Sequence, residues 1–219
     1  MSALSITPFY GDFNSSNSYL VLNGSHAFLV DVGMVGTAER AIGEIERLAL
    51  PVPEAVVLTH RHIDHVAGAA AVAEAFDIPV FAEESGAAAL NSGDTISTGS
   101  ALFGVALPAM LVKPLDVDSP SSYPFLEGFE VFRTPGHSED SIVLFHRRGG
   151  ALFSGDTVFA NGGVGRWDLP TGDLAELRKS IDFLRALPVE SLYPGHGPVV
   201  EHGGKFHIEE SYRAIEAYI

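Results

Sequence analysis

Three histidines and one aspartate fall within six residues of each other, at His60, His62, Asp64 and His65. They follow an apolar run at residues 55–58 that predicts a short buried strand. Histidine is the commonest metal ligand among side chains, and carboxylate oxygen also suits Zn²⁺. On a turn, His60 and His62 can point to one place, and Asp64 and His65 to a second place close by. The spacing therefore predicts a two-metal site along one loop. A lone histidine at this position would indicate only a solvated turn.

The same placement of polar residues recurs after other predicted strands. Four more polar side chains stand at or just beyond strand ends: Asp31, His137, Asp156 and His196. Open α/β sheets bind ligands at the carboxyl ends of their strands, so we expect all these strand ends to converge on one polar site. Two interpretations of Asp31 stay open, as a partner of a ligand histidine or as the cap of the next helix. The other histidines are interpreted as surface or loop residues: His26, His146, His202 and His207.

Strands and helices with clear sequence patterns must position these residues. Apolar or alternating runs predict strands at 18–22, 27–32, 55–58, 78–82, 129–133, 141–145, 151–154 and 191–193. Helical spacing predicts helices at 37–48, 68–76, 173–187 and 206–218. The first two strands form a predicted hairpin, because the turn-forming residues 23–26 separate them.

Residues 83–124 carry the least regular pattern in the chain. Four prolines interrupt the segment, at Pro108, Pro114, Pro120 and Pro124. We interpret it as a partly helical surface excursion from one domain that spans residues 1–219. Long excursions often form lids or binding loops, and the apolar residues within 101–111 suit either a pocket wall or a homodimer contact. A tolerated insertion without function is the alternative.

Composition limits the classes of partner and site. The chain has 219 residues, of which 46% are hydrophobic, so it can bury a sizeable core. Its formal net charge of −15 disfavours nucleic acid as a partner. The absence of cysteine excludes thiolate zinc sites and a cysteine nucleophile. Residues 1–10 lack a signal-peptide pattern, and no apolar run is long enough to predict a membrane span, so we expect a cytoplasmic protein.

The motifs resemble the five-motif pattern of the metallo-β-lactamase fold superfamily, with Asp31 as the first motif. The other four are Thr59-His60-Arg61-His62-Ile63-Asp64-His65, Thr134-Pro135-Gly136-His137, Ser154-Gly155-Asp156-Thr157 and Tyr193-Pro194-Gly195-His196-Gly197. The resemblance spans residues 18–200 in the family's order. Within the superfamily the chain is most similar to glyoxalase II-like hydrolases, on the evidence of residues 156–159 and 165–173.

The resemblance implies a four-layer αββα sandwich that binds two divalent metal ions, with zinc expected and iron or manganese as alternatives. It assigns His60, His62 and His137 to the first ion. It assigns Asp64, His65 and His196 to the second, with Asp156 bridging the two ions. Two departures leave open whether glutathione is part of the substrate. The gap between His65 and His137 is long for that branch, and one predicted helix follows His196.

The favoured function is metal-dependent hydrolysis of a small ester, thioester or lactone. Two bound ions would lower the pKa of a shared water, and the resulting hydroxide, oriented by Asp64 as a catalytic residue, would attack the carbonyl carbon. Three alternatives remain. They are a persulfide dioxygenase with one iron, a nucleic-acid phosphodiesterase disfavoured by the net charge, and a metal-stabilised binding domain without activity.

Overall fold

Ten strands form two sheets in the computed structural model, which describes residues 4–12 and 14–218. The first sheet contains, in spatial order, β1 (Leu4–Phe9), β2 (Ser18–Asn23), β3 (His26–Val30), β4 (Val56–Val57), β5 (Val80–Ala82) and β6 (Val112–Pro114). The second contains β7 (Phe129–Arg133), β8 (Ile142–His146), β9 (Ala151–Gly155) and β10 (Ser191–Pro194), in the order β10-β9-β8-β7.

Seven α-helices accompany these strands in the described part of the chain. They are α1 (Val35–Arg47), α2 (Ile63–Val66), α3 (Ala69–Phe76), α4 (Glu84–Ser92), α5 (Ser100–Phe103), α6 (Leu174–Leu184) and α7 (Gly204–Glu216). Within residues 4–12 and 14–218, none of the helices has both the length and the apolar character needed to cross a membrane.

The two sheets pack face to face because side chains alternate between two cores along each strand. In β2 and β3, Val21 and Phe28 point into the core between the sheets, where they join Phe153 of β9. Leu29 points the other way, into the core that the first sheet shares with α1 and α3. A third core lies between the second sheet and the helices α6 and α7. The predicted αββα sandwich is therefore confirmed.

Strand direction decides which strand ends can meet. Strands β3 to β6 run parallel to one another in the first sheet. In the second sheet, β8 runs antiparallel to both β7 and β9, and β10 runs parallel to β9. The carboxyl ends of β7, β9 and β10 consequently share one edge. His146 ends β8 and lies at the opposite edge, which separates it from the other strand-end histidines.

Several sequence predictions need correction. Strand β1 was not predicted, although its residues pair antiparallel with β2. The helix predicted at 68–76 is α3, but the short helix α2, which precedes it, was not predicted. The segment 83–124 is not wholly a surface excursion, because β6 extends the first sheet by pairing parallel with β5. The side chain of Asn91 in α4 connects that helix to β6. Its amide nitrogen donates to the Val112 carbonyl at 2.8 Å, and its amide oxygen accepts from the Val112 N–H at 2.9 Å. A three-residue strand that ends in proline leaves no alternation to detect in the sequence.

Candidate metal centre

Asp31 anchors the loop that carries the histidine cluster. Its carboxylate accepts hydrogen bonds from the Thr59 backbone N–H at 2.7 Å and from the Thr59 hydroxyl at 2.8 Å. The same carboxylate lies 2.8 Å from Nδ1 of His65, an arrangement that directs Nε2 of that ring away from Asp31. Helix α1 has Met34 at its N-cap position and no side-chain cap. Of the two interpretations of Asp31, the structure therefore supports the partner of a histidine.

Three imidazole rings face one another at the first group of candidate ligands. Nε2 of His137 lies 2.8 Å from Nδ1 of His62 and 3.2 Å from Nε2 of His60. Nδ1 of His137 donates to the carbonyl oxygen of Arg166 at 2.7 Å, so its Nε2 is left to face the other two rings. Burial lowers the pKa of His62 to about 3 and lowers the pKa of His60 well below its usual value. The neutral imidazoles that result are the form that binds metal.

Asp64, His65 and His196 form a second group beside the first. Nε2 of His196 lies 3.1 Å from Oδ2 of Asp64, and Nε2 of His65 lies 3.9 Å from the same oxygen. Burial opposes the charged form of His65, but the carboxylates of Asp156, Asp31 and Asp64 together raise its pKa well above the usual value. Burial likewise opposes ionisation of Asp64, but His65 and His196 outweigh it and lower the pKa of this carboxyl group.

Asp156, at the end of β9, lies between the two groups. Its Oδ1 is 3.2 Å from Nε2 of His65, and its Oδ2 is 3.5 Å from Nε2 of His196 and 3.6 Å from Nε2 of His137. Gly195 permits this approach, because a Cβ at that position would lie 2.1 Å from Oδ1 of Asp156. The structure thus brings together all seven side chains that the sequence suggested as ligands.

This arrangement fits cations better than it fits hydrogen bonds. Nε2 of His65 and Oδ1 of Asp156 are buried, and neither atom makes a hydrogen bond with the described residues. Buried polar atoms are rarely left without a partner, and this nitrogen and this oxygen are both of the kinds that bind metal ions. Three sets of residues each offer ligand atoms that lie within 4.8 Å of one another inside the set. These sets are His60-His62-His137, His60-His65-Asp156 and Asp64-His65-His196. The chain therefore has a metal-binding fold with a His/Asp cluster of nitrogen and oxygen donors.

A cavity of about 510 Å³ opens at this cluster. Five of the candidate ligands line it: His62, Asp64, His137, Asp156 and His196. Three large apolar side chains that precede β6 also line it, Ile96, Leu102 and Phe103, which we call the apolar wall. Four further apolar lining residues follow β9: Phe159, Val164, Leu169 and Pro170. Leu102 and Phe103 are the large apolar residues of 101–111 that line the cavity, whereas Val105, Leu107 and Met110 pack against the core of the first sheet.

Sequence reasoning missed Arg61 and Asp140, which are buried beside the cluster. Nε of Arg61 donates to Oδ1 of Asp140 at 2.9 Å, and its Nη1 lies 2.9 Å from Oε1 of Glu139. Further bonds reach the hydroxyls of Ser85 at 3.0 Å and Ser97 at 3.3 Å. Arg61 stands between His60 and His62, so a cation inside the predicted metal-binding loop was the available signal. No sequence pattern could indicate that the Arg166 carbonyl accepts a hydrogen bond from His137, because every residue type carries a backbone carbonyl.

We expect Asp31→Asn to weaken metal binding by about 10- to 100-fold, as the loss of a partner behind a ligand histidine typically does. Oδ1 of Asp31 accepts from the Thr59 N–H, and Oδ2 faces the Thr59 hydroxyl and His65, so an amide NH₂ in place of either oxygen would remove an acceptor that these groups use. Titration of the chelator-treated protein with Zn²⁺ would measure the affinity. The matched control is Asp116→Asn, at an exposed position. An affinity equal to that of the control would contradict the role given to Asp31.

Comparison with known proteins agrees with this geometry. The family model described as the metallo-beta-lactamase superfamily matches residues 11–196. A probable metallo-hydrolase of Methanocaldococcus jannaschii is 39% identical over 192 residues, which cover 84% of this chain and 89% of that protein. A hydroxyacylglutathione hydrolase of Haemophilus influenzae is 28% identical over 190 residues, with 84% and 86% covered. The crystal structure of TTHA1623 in a di-iron-bound form matches with a TM-score of 0.75 at 33% identity, covering 88% of this chain and 93% of that chain.

Proposed function

Because the chain belongs to the metallo-beta-lactamase superfamily and is a metallo-hydrolase, we propose that it uses two divalent metal ions to hydrolyse a small ester, thioester or lactone. The observation that supports this proposal is the pair of ligand groups whose members line one cavity, with Asp156 between them. The di-iron form of TTHA1623 is a precedent for two ions in a similar chain. Zinc is our first candidate here, with iron or manganese as alternatives, and we propose a cytoplasmic location.

The proposed ligands divide as the resemblance implied. His60, His62 and His137 would hold one ion, while Asp64, His65 and His196 would hold the other. Asp156 would contribute to both, since its two oxygens face different histidines. When bound, the two ions would activate a water molecule for attack and polarise the carbonyl of the substrate.

The side chains around the ions have separate tasks in this proposal. Asp64 lines the cavity and is ionised at neutral pH, because its pKa lies below the usual value. Its carboxylate can therefore accept a hydrogen bond from the attacking water and orient it. Phe159 packs edge-on against His196, with ring centroids 6.0 Å apart, and both side chains line the cavity.

The alternatives make different demands on the site. A dioxygenase with one iron needs only one facial group of ligands, so the second group of Asp64, His65 and His196 would have no purpose. A phosphodiesterase acting on nucleic acid would face the electrostatic repulsion of a chain with a net charge of −15. A binding domain without activity would not need a cavity that ends at exchangeable metal positions.

We expect freshly purified protein to contain close to two metal ions per chain, because two groups of three ligands and a shared carboxylate are present. Elemental analysis against protein concentration would measure this ratio, alongside hydrolysis of a panel of thioesters, esters and lactones. One tightly held iron with no hydrolysis would instead favour the dioxygenase. Two ions with no activity toward any member of the panel would favour the binding domain.

A further inference from the structure

The apolar wall exposes large side chains next to the candidate metal centre. Ile96 is 69% exposed, Leu102 is 68% exposed and Phe103 is 49% exposed. Single exposed apolar residues are ordinary, but a group of them that lines one cavity indicates a surface that a ligand covers. Phe159 and Leu169 line the same cavity. Large apolar side chains from two separate segments of the chain therefore line the cavity beside the candidate ligands.

The apolar wall is fixed to the metal loop. The carboxylate of Asp94 accepts hydrogen bonds from the backbone N–H groups of Ile96 and Ser97, both at 3.0 Å. The carbonyl of Thr98 accepts from the backbone N–H of Ile63, at the start of α2, at 2.8 Å. These bonds connect the wall to the turn that carries Asp64 and His65, so a group bound against the wall has a defined position relative to the ligands.

The charges around the cavity disfavour an anionic substrate. Among the described residues that line it, Arg166 is the only lysine or arginine. Both carboxylate oxygens of Asp168 hold its guanidinium group, each at 2.9 Å. A carrier such as glutathione, which has two carboxylates, would need cationic partners here. Two bound divalent ions would offset four of the 15 net negative charges, so long-range repulsion against an anion would remain.

We propose that the substrate is an uncharged thioester or oxygen ester whose apolar acyl chain packs against the apolar wall, Phe159 and Leu169. This inference rests on the proposed function and narrows its substrate class. In the thioester reaction, water adds to the acyl carbon, a carbon–oxygen bond forms and the carbon–sulfur bond breaks. The products are the carboxylic acid and the thiol, and the proton released by water goes to the departing sulfur.

Thioesters of one neutral thiol, N-acetylcysteamine, would test the acyl preference from acetyl to hexanoyl. The same acyl groups on glutathione would form the matched charged series. A thiol-reactive dye can follow both, because the protein has no cysteine to react with it. We expect kcat/KM to rise about threefold per methylene in the neutral series. We expect kcat/KM for each glutathione thioester to be about tenfold lower than for its neutral counterpart, because the cavity offers too few cationic side chains to pair with the glutathione carboxylates.

Two variants test whether the apolar wall causes the chain-length dependence. Leu102→Ala and Phe103→Ala should each reduce the increase in kcat/KM per added methylene without changing the metal content. Leu111→Ala is the control, because Leu111 is 72% exposed and does not line the cavity. A readout without catalysis is the binding of uncharged methyl ketones of increasing length, followed by the fluorescence of Trp167, the single tryptophan of the chain. Longer ketones should bind more tightly to the wild type and to Leu111→Ala. In Leu102→Ala and Phe103→Ala, the increase in affinity with chain length should be smaller.

The outcomes separate this inference from the proposed function. Hydrolysis that does not depend on chain length, or that favours the glutathione series, would overturn the inference and leave the metallo-hydrolase proposal standing. Chain-length dependence that survives both wall variants would also overturn it. Failure of the metal-loaded protein to hydrolyse any thioester or ester would remove the proposed function and this inference with it.

Discussion

Asp156→Asn is expected to lower kcat/KM for thioester hydrolysis by about a thousandfold or more, equivalent to about 4 kcal/mol of lost transition-state stabilisation. The substitution keeps the size of the side chain and removes its negative charge. The wild-type carboxylate faces Nε2 of His65, His137 and His196 within 3.6 Å, so it contacts members of both candidate groups. We therefore also expect the metal content to fall by at least one ion per chain.

His146→Ala provides the matched control for this prediction. His146 also follows apolar strand residues, but it ends β8 at the edge of the sheet opposite to the candidate centre. Metal content and kcat/KM should remain close to those of the wild type. Elemental analysis and initial rates on the same preparations would decide the matter. Two ions retained by Asp156→Asn, or metal lost from His146→Ala, would show that the ligand assignment is wrong.

Arg61→Met is expected to lower the free energy of unfolding by about 3 kcal/mol or more, the usual cost of removing one partner from a buried ion pair. The Arg61 side chain is 3% exposed and that of Asp140 is fully buried. Burial already raises the pKa of Asp140 despite the adjacent guanidinium group, and its Oδ2 makes no hydrogen bond with the described residues. Methionine would fill much of the space but leave the carboxyl group without its cation. Urea denaturation at fixed metal concentration would measure the change.

Two further variants identify the cause of that loss. Arg147→Met removes the partner of Glu130 on the exposed surface, where the ion pair is screened by solvent, so it should change stability little. The double variant Arg61→Met with Asp140→Asn should be more stable than Arg61→Met alone, because it removes the uncompensated carboxylate. If the double variant were the less stable of the two, packing of the Arg61 stem would be the cause instead of the ion pair.

The sequence predicted the candidate centre because the signals for it are local. Each candidate ligand stands within a few residues of a strand end, and parallel strands bring such ends to one edge without further information. The alternation of apolar residues likewise predicted most of the strands. The resemblance then supplied the αββα arrangement, and the bridging position of Asp156 came from the resemblance alone.

The features that the sequence did not predict depend on contacts between distant residues. The partnership of Arg61 with Asp140 joins positions 79 residues apart. Strand β6 has three residues, and β1 has a mixed burial pattern, so neither produces a readable alternation. The choice of Asp31 between two roles required its distance to His65. In each case the chain had to be folded before the neighbours were defined.

The seven candidate ligands are divided between the two sheets in a way that matches the order of the chain. His60, His62, Asp64 and His65 precede β5, whereas His137, Asp156 and His196 follow β7. A cut in the largely exposed turn at residues 118–122 would therefore give two fragments, each with one complete sheet and an incomplete ligand set. Since an ion held by both fragments binds only the assembled pair, their association would strengthen as the concentration of free metal rises. The division of the ligands makes this fold a natural framework for a split protein whose reassembly reports metal concentration.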